Sequence, residues 1–156
     1  MGSGGESSTA ALRKIKSGGI VVKVVQGNGF PICRGEVYQI NLGQTKDHQE
    51  LIRPVLVIQN DIGNSLYDSV IVVPLSPKIQ TKRLFVSVGI TPSEVPGLEE
   101  EHVALFFQIR TIDKSKISKE KFLGKIESAT MWQVDEAIKL SLGISTIQRI
   151  QNRKKA

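Results

Sequence analysis

Apolar positions along the chain come in short runs divided by polar turns, and most of those runs have the length of a strand. Arg34 to Leu42 alternates, with Val37, Ile40 and Leu42 apolar and Gly35 and Gly43 as bounds, which predicts a first core strand. Pro54 to Ile58 is a continuous apolar run closed by Asn60-Asp61 and Gly63-Asn64, the pattern of a buried strand followed by a turn. Ser69 to Leu75 repeats it, and Pro74 inside that run points to a strand end or an edge, because proline cannot donate to a ladder. Arg83 to Val88 and Val103 to Ile112 read as two further strands, with Pro92 to Glu101 as the loop between them. Ile20 to Val25 is β-branched and suits an edge strand, set apart by Gly27-Asn28-Gly29 and Pro31. Gln44 to Leu51 is polar and unpatterned, a loop long enough to move over a site.

Helical periodicity is confined to two places. Ala129 to Leu142 puts Met131, Val134, Ile138 and Leu142 on one face, with Ser128 as N-cap and Gly143 as stop. A turn or two of helix is expected within Thr9 to Lys16, ended by Gly18-Gly19. Short strands at regular spacing with one late helix predict a mainly β fold with a C-terminal helix, a small barrel or sandwich rather than a parallel α/β sheet. No internal repeat is visible.

At 156 residues the chain suits one domain. The division expected is a flexible N-terminal extension at 1–32, a barrel domain at 33–145 and a basic C-terminal tail at 146–156. No apolar run is long enough to span a membrane. Met1 to Ser8 is rich in Gly and Ser and lacks the apolar centre of a secretory signal, so export is not expected and the cytoplasm is the default. The single cysteine, Cys33, excludes an internal disulfide and a cysteine-based zinc cluster, which fits a reducing compartment.

The net charge of +6 suggests nucleic acid until its distribution is examined. The two tails hold eight basic residues and one acidic residue, which leaves 13 basic and 14 acidic in 33–145. Any RNA contact by the domain must therefore rest on local clusters, with the tails as auxiliary, salt-sensitive phosphate contacts.

Three blocks, in order, resemble the MazF/PemK family of toxin–antitoxin toxins. They are Arg34-Gly35-Glu36-Val37-Tyr38, then Arg53-Pro54-Val55-Leu56-Val57-Ile58-Gln59-Asn60-Asp61, then Gln108-Ile109-Arg110-Thr111-Ile112-Asp113. The resemblance runs from about Cys33 to Gly143. It implies an SH3-like, partly open barrel of the CcdB/PemK-like type, commonly a homodimer. It also implies an endoribonuclease that cleaves single-stranded RNA, mRNA in the cell, by attack of the ribose 2′-hydroxyl on the adjacent phosphorus. Because the nucleophile belongs to the substrate, neither a metal nor another cofactor is implied. A cognate antitoxin, whose acidic and partly disordered segment fills the cleft, is the implied protein partner.

Arg53 is the leading catalytic candidate, since a guanidinium offers a permanently charged fork of donors that matches a phosphate. Its bland alternative is a surface arginine paired with Glu50, worth at most about 1 kcal/mol. Ser76 stands where the resemblance implies a threonine, and its hydroxyl can hold the phosphate; a turn serine between Pro74 and Pro77 is the equal alternative. His48 falls near a usual acidic position and can act as base or acid, while a lone loop histidine is more often solvated surface. Phe107 replaces a carboxylate found in many relatives, and strand alternation with Leu105 and Val103 favours core packing for it, with stacking on a base in the cleft as the alternative.

Lys78, Lys82 and Arg83 form a local basic loop able to track an RNA backbone, or simply a solvated hairpin end. Gln108, in the third block, completes the candidate RNA contacts. The run Lys114, Lys116, Lys119, Lys121 and Lys125 reads as solvated surface, Trp132 as packing or a dimer contact, and Cys33 and His102 as too isolated for a metal or nucleophile. Two rival functions share the fold: a weakened relative that only binds RNA or antitoxin, and a toxin that poisons DNA gyrase by protein contact. Retention of the Arg53 block weighs against the second.

Overall fold

The computed structural model describes residues 13–17, 20–24, 30–77 and 84–145. Strands β1 (Arg13–Ser17) and β2 (Ile20–Val24) pair antiparallel as a separate two-stranded sheet. Ser17 stands opposite Ile20 at the close of that pairing. The helix expected before Lys16 is therefore corrected to a strand from Arg13 onward; Thr9 to Leu12 lie outside the described residues.

The remaining elements are β3 (Glu36–Gln44), β4 (Glu50–Val57), α1 (Asp61–Leu66), β5 (Ser69–Pro77), β6 (Gly89–Ile90), β7 (His102–Ala104), β8 (Arg110–Asp113), β9 (Phe122–Lys125) and α2 (Ser128–Ser141). The seven strands from β3 to β9 make one antiparallel sheet in the order β6-β7-β5-β4-β3-β9, with β8 added on β5. This curled sheet with its C-terminal helix is an SH3-like, partly open barrel.

Both faces of the central strands are covered, which explains their unbroken apolar runs. Val37, Leu56, Val73 and Leu75 enter one core together with Val134 and Ala137 of α2. Their neighbours Tyr38, Ile40, Val55, Val57, Val70 and Val72 enter a second core on the other face. Each fully buried aliphatic side chain contributes about 1.5–3 kcal/mol, so a strand burying residues on both faces is anchored firmly enough to hold a reactive side chain at its end.

Pro74 sits inside β5 rather than at its end. On that side of β5, β8 pairs residues 69–72 and β7 pairs residues 75–77, so the proline falls between two partners. Its carbonyl accepts the Leu105 N–H at 2.9 Å. The expected Val103–Ile112 strand is accordingly two strands, β7 and β8, divided by a 3-10 turn at Phe106–Gln108. The turn breaks strand alternation, and Phe107, expected in the core, is 70% exposed. Of the Arg83–Val88 strand, residues 84–88 are irregular and pairing begins only at Gly89.

The turn after β4 holds a short helix, α1, which Asn60 caps by accepting the Gly63 N–H at 2.8 Å. Helix α2 starts one residue earlier than expected: Glu127 is the N-cap and Ser128 is already helical. Its C-cap Leu142 is 60% exposed and leaves the packed face, while Met131 and Ile138 stay on it. Arg34 ties α2 to the sheet through Asp135 at 2.5 Å and the Ile58 carbonyl at 2.8 Å.

Candidate active site

The ladder between β4 and β5 stops at Val55 and Pro74. Beyond that point β4 runs on to Glu50 against β3, while β5 runs on to Pro77 against β7. The two strands part, and a cleft of about 600 Å³ opens between them. Its walls include Arg53 and Pro54 of β4, Leu75 and Pro77 of β5, and His102 at the start of β7. Leu123 of β9 and the segment Gly97 to Glu100 close it.

That closing segment is held by a close backbone approach. Gly97 donates to the Leu123 carbonyl at 2.8 Å, and Leu98, 4% exposed, anchors the segment in the core beneath the cleft. Glu99 and Glu100 then stand exposed at the rim. The Glu100 carbonyl lies 2.8 Å from Nδ1 of His102, a residue that is 7% exposed.

Arg53 is half-buried. Among the described residues its guanidinium forms no ion pair and no side-chain hydrogen bond, and Glu50 does not engage it. An unpaired, partly desolvated guanidinium in a concave site is an anion receptor, because its donors are oriented and have lost part of their water. The described lining also carries the carboxylates of Glu50, Glu99 and Glu100, so attraction for an anion is focused at Arg53 rather than spread around the rim.

The other candidates are distributed unevenly around this feature. Ser76 lies between the lining residues Leu75 and Pro77, is 4% exposed, and is not itself part of the lining. His48 is exposed at the apex of a tight turn, with φ of 59°, and is likewise outside the lining. That turn corrects the expected mobile loop at Gln44–Leu51. The ladder reaches Gln44 and Glu50, and the turn is closed by Thr45 N–H to the Gln49 carbonyl at 2.8 Å. Gln108 ends the 3-10 turn, half-buried and away from the cleft lining. Lys78, Lys82 and Arg83 lie outside the described residues.

Burial first, then the Glu36 and Asp61 carboxylates, push the Cys33 thiol above its ordinary pKa, which keeps it from thiolate chemistry. His102, which the sequence left as too isolated for a role, is a lining residue of this cleft. The sequence offered one sign of it, a polar residue at the head of an apolar run, as at Arg53.

A family profile described as PemK-like, MazF-like toxin of type II toxin-antitoxin system matches residues 33–142. Over 114 residues the chain is 38% identical to Endoribonuclease EndoA of Bacillus subtilis strain 168, covering 72% of this chain and 96% of that protein. It is 39% identical over 116 residues to Endoribonuclease MazF of Staphylococcus saprophyticus, covering 74% of this chain and 94% of that protein. Among solved structures, the MazE-MazF crystal structure (Form-II) from Deinococcus radiodurans superposes with a TM-score of 0.59 at 20% identity, over 75% of this chain and all of that one. An endoribonuclease in complex with its cognate antitoxin from Mycobacterial species gives 0.56 at 24% identity, over 74% and 96% of the two chains. At that identity the structures bear on the fold. Among the described residues no helix is long and apolar enough to cross a membrane.

Proposed function

The chain belongs to the PemK-like, MazF-like family of toxins of type II toxin-antitoxin systems, and from that premise we propose that it is an endoribonuclease cutting single-stranded RNA without a metal ion. The observation that carries the reading is the unpaired guanidinium of Arg53 in the cleft where β4 and β5 part. The ribose 2′-hydroxyl attacks the adjacent phosphorus, and the products are a cyclic phosphate and a free 5′-hydroxyl. Arg53 binds the non-bridging oxygens and gains strength as charge builds on them, so its effect falls on the transition state.

Ser76 contributes a hydroxyl to the same phosphate, and His48, Lys78, Lys82, Arg83 and Gln108 contact the RNA on either side. The rim carboxylates of Glu99 and Glu100 accept hydrogen bonds from base amino groups, the kind of edge that unpaired RNA exposes. The unit that acts is 33–145, and the basic segment 146–156 adds salt-sensitive phosphate contacts. The protein works as a homodimer in the cytoplasm, held silent by a cognate antitoxin that covers Arg53. That partner is supported by the likeness to an endoribonuclease solved with its cognate antitoxin.

The test is cleavage of a labelled single-stranded RNA in excess EDTA by the unaltered protein and by Arg53→Ala. Cleavage by the former and a loss of about 10²–10³-fold in the latter are expected. Absence of cleavage, or equal rates, overturns the reading.

A further inference from the structure

We propose that His102 is the general base of this cleft, its Nε2 taking the proton from the ribose 2′-hydroxyl; the proposal rests on the ribonuclease reading above. Three observations converge on that nitrogen. Nδ1 lies 2.8 Å from the carbonyl oxygen of Glu100. A carbonyl only accepts, so Nδ1 carries the hydrogen and the neutral ring keeps its lone pair on Nε2. His102 is 7% exposed, and among the described residues its Nε2 has no hydrogen-bond partner. Nε2 therefore carries no hydrogen bond from the described residues, in a residue that lines the cleft.

The mounting is rigid on both sides of the reacting group. His102 is paired with Pro77 across the β5–β7 ladder, and the Glu100 carbonyl that fixes its ring belongs to the segment anchored by Leu98 and Gly97. Arg53 stands on β4 and His102 on β7, with the diverging end of β5 between them, and both line the cleft. Glu50, Glu99 and Glu100 also line the cleft, and each is exposed with no side-chain hydrogen bond to fix it among the described residues. A base held in place before the reaction is more effective than one that must be ordered during it.

In the step itself, the 2′-oxygen to phosphorus bond forms as the phosphorus to 5′-oxygen bond breaks. The 2′-hydroxyl proton passes to Nε2 and from there to solvent. The departing 5′-oxygen takes a proton from water in the open cleft. Arg53 neutralises the phosphoryl oxygens throughout and exchanges no proton.

The experiment uses the full chain and a single-stranded RNA under single-turnover conditions, with His102→Asn and Arg53→Ala as variants. Asparagine retains an N–H for the Glu100 carbonyl and removes Nε2. The expected result is a cleavage rate lower by about 10²–10³-fold, with affinity for a 2′-deoxy analogue within about threefold of the unaltered protein, the usual spread of single-contact effects. Added imidazole should restore cleavage by His102→Asn and not by Arg53→Ala. If the unaltered protein cuts RNA and His102→Asn cuts within about threefold of it, or if the loss is not rescued by imidazole, the base assignment falls while the ribonuclease stands. If the unaltered protein does not cut, the ribonuclease reading falls first. A measurement on the unaltered protein covers a variant that does not fold: nitrogen-15 shifts of the His102 ring, told from His48 by a His48→Ala sample. A lone pair on Nε2 that responds to the 2′-deoxy analogue is expected, and a proton resident on Nε2 in the free protein overturns the proposal.

Discussion

Gly97 is where the cleft and the core compete for the same space, and replacing it with alanine tests the architecture directly. A Cβ at that position would stand 2.6 Å from the Leu123 Cα, 2.7 Å from its carbonyl oxygen and 2.8 Å from its Cβ. Ordinary contact begins near 3.4 Å, so one backbone must retreat by roughly 0.8 Å, a shift of the kind that overpacked sites show. Neither side yields easily. Leu123 belongs to β9, whose ladder partner is β3, and Gly97 precedes the buried Leu98. Overpacking costs about 1–3 kcal/mol, and stretching the Gly97 N–H to Leu123 carbonyl bond adds about 1 kcal/mol. The variant should therefore lose about 2–4 kcal/mol, read as a fall of about 1–2 M in the urea midpoint. Because Gly97 is not among the positive-φ glycines, backbone strain adds nothing and the effect is steric alone. A midpoint within about 0.3 M of the unaltered protein, at most about 0.9 kcal/mol on ordinary slopes, would refute the tight approach of the closing segment to β9.

Two further substitutions separate fold from chemistry. Tyr38 is 2% exposed and donates its hydroxyl to the Glu36 carboxylate at 2.6 Å, and burial followed by that hydrogen bond holds its pKa well above the ordinary 10.0. Above pH 10 the unfolded chain releases a proton that the native state keeps, so stability present below pH 10 falls as pH rises. Tyr38→Phe should cost about 1–2 kcal/mol at neutral pH and flatten the alkaline decline; equal declines at pH 11 in urea melts of the two proteins would remove Tyr38 as its source. Ser76→Ala should slow single-turnover cleavage by about 10–100-fold, the worth of one hydrogen bond to a charged group, while Ser76→Thr retains the rate. Unchanged cleavage by Ser76→Ala takes the hydroxyl out of the mechanism.

What could be read in advance followed from burial. The runs around Val55 and Val72 are apolar on both faces because each face meets a core, and such runs announce themselves without any knowledge of pairing. The late helix was legible from its buried face, to within one residue at its start. Where a strand changes partner the signal failed: Pro74 and the stretch around Phe107 keep strand-like composition, while the chain there bridges two ladders. Composition records how deeply a residue is buried and not which neighbour buries it, so the exposure of Phe107 had no trace in the sequence. The turn at Thr45–Gln49 was hidden for a related reason, since its closing bonds are made by backbone atoms and the Thr45 side chain, which polar composition does not reveal.

The same limit explains why one half of the site was visible and the other was not. Arg53 and His102 both stand where an apolar strand meets water, positions that a barrel supplies in quantity and that ordinarily hold solvated side chains. Nothing in the order of residues joins position 53 to position 102. The join is made by β5, which leaves β4 after Pro74 and takes β7 as its partner beyond that point. Parting the strands leaves a space that Gly97 and Leu98 floor and that Arg53 and His102 both line. A change of pairing partner within one strand thus produces the cleft and, in the same stroke, brings Arg53 of β4 and His102 of β7 into one lining.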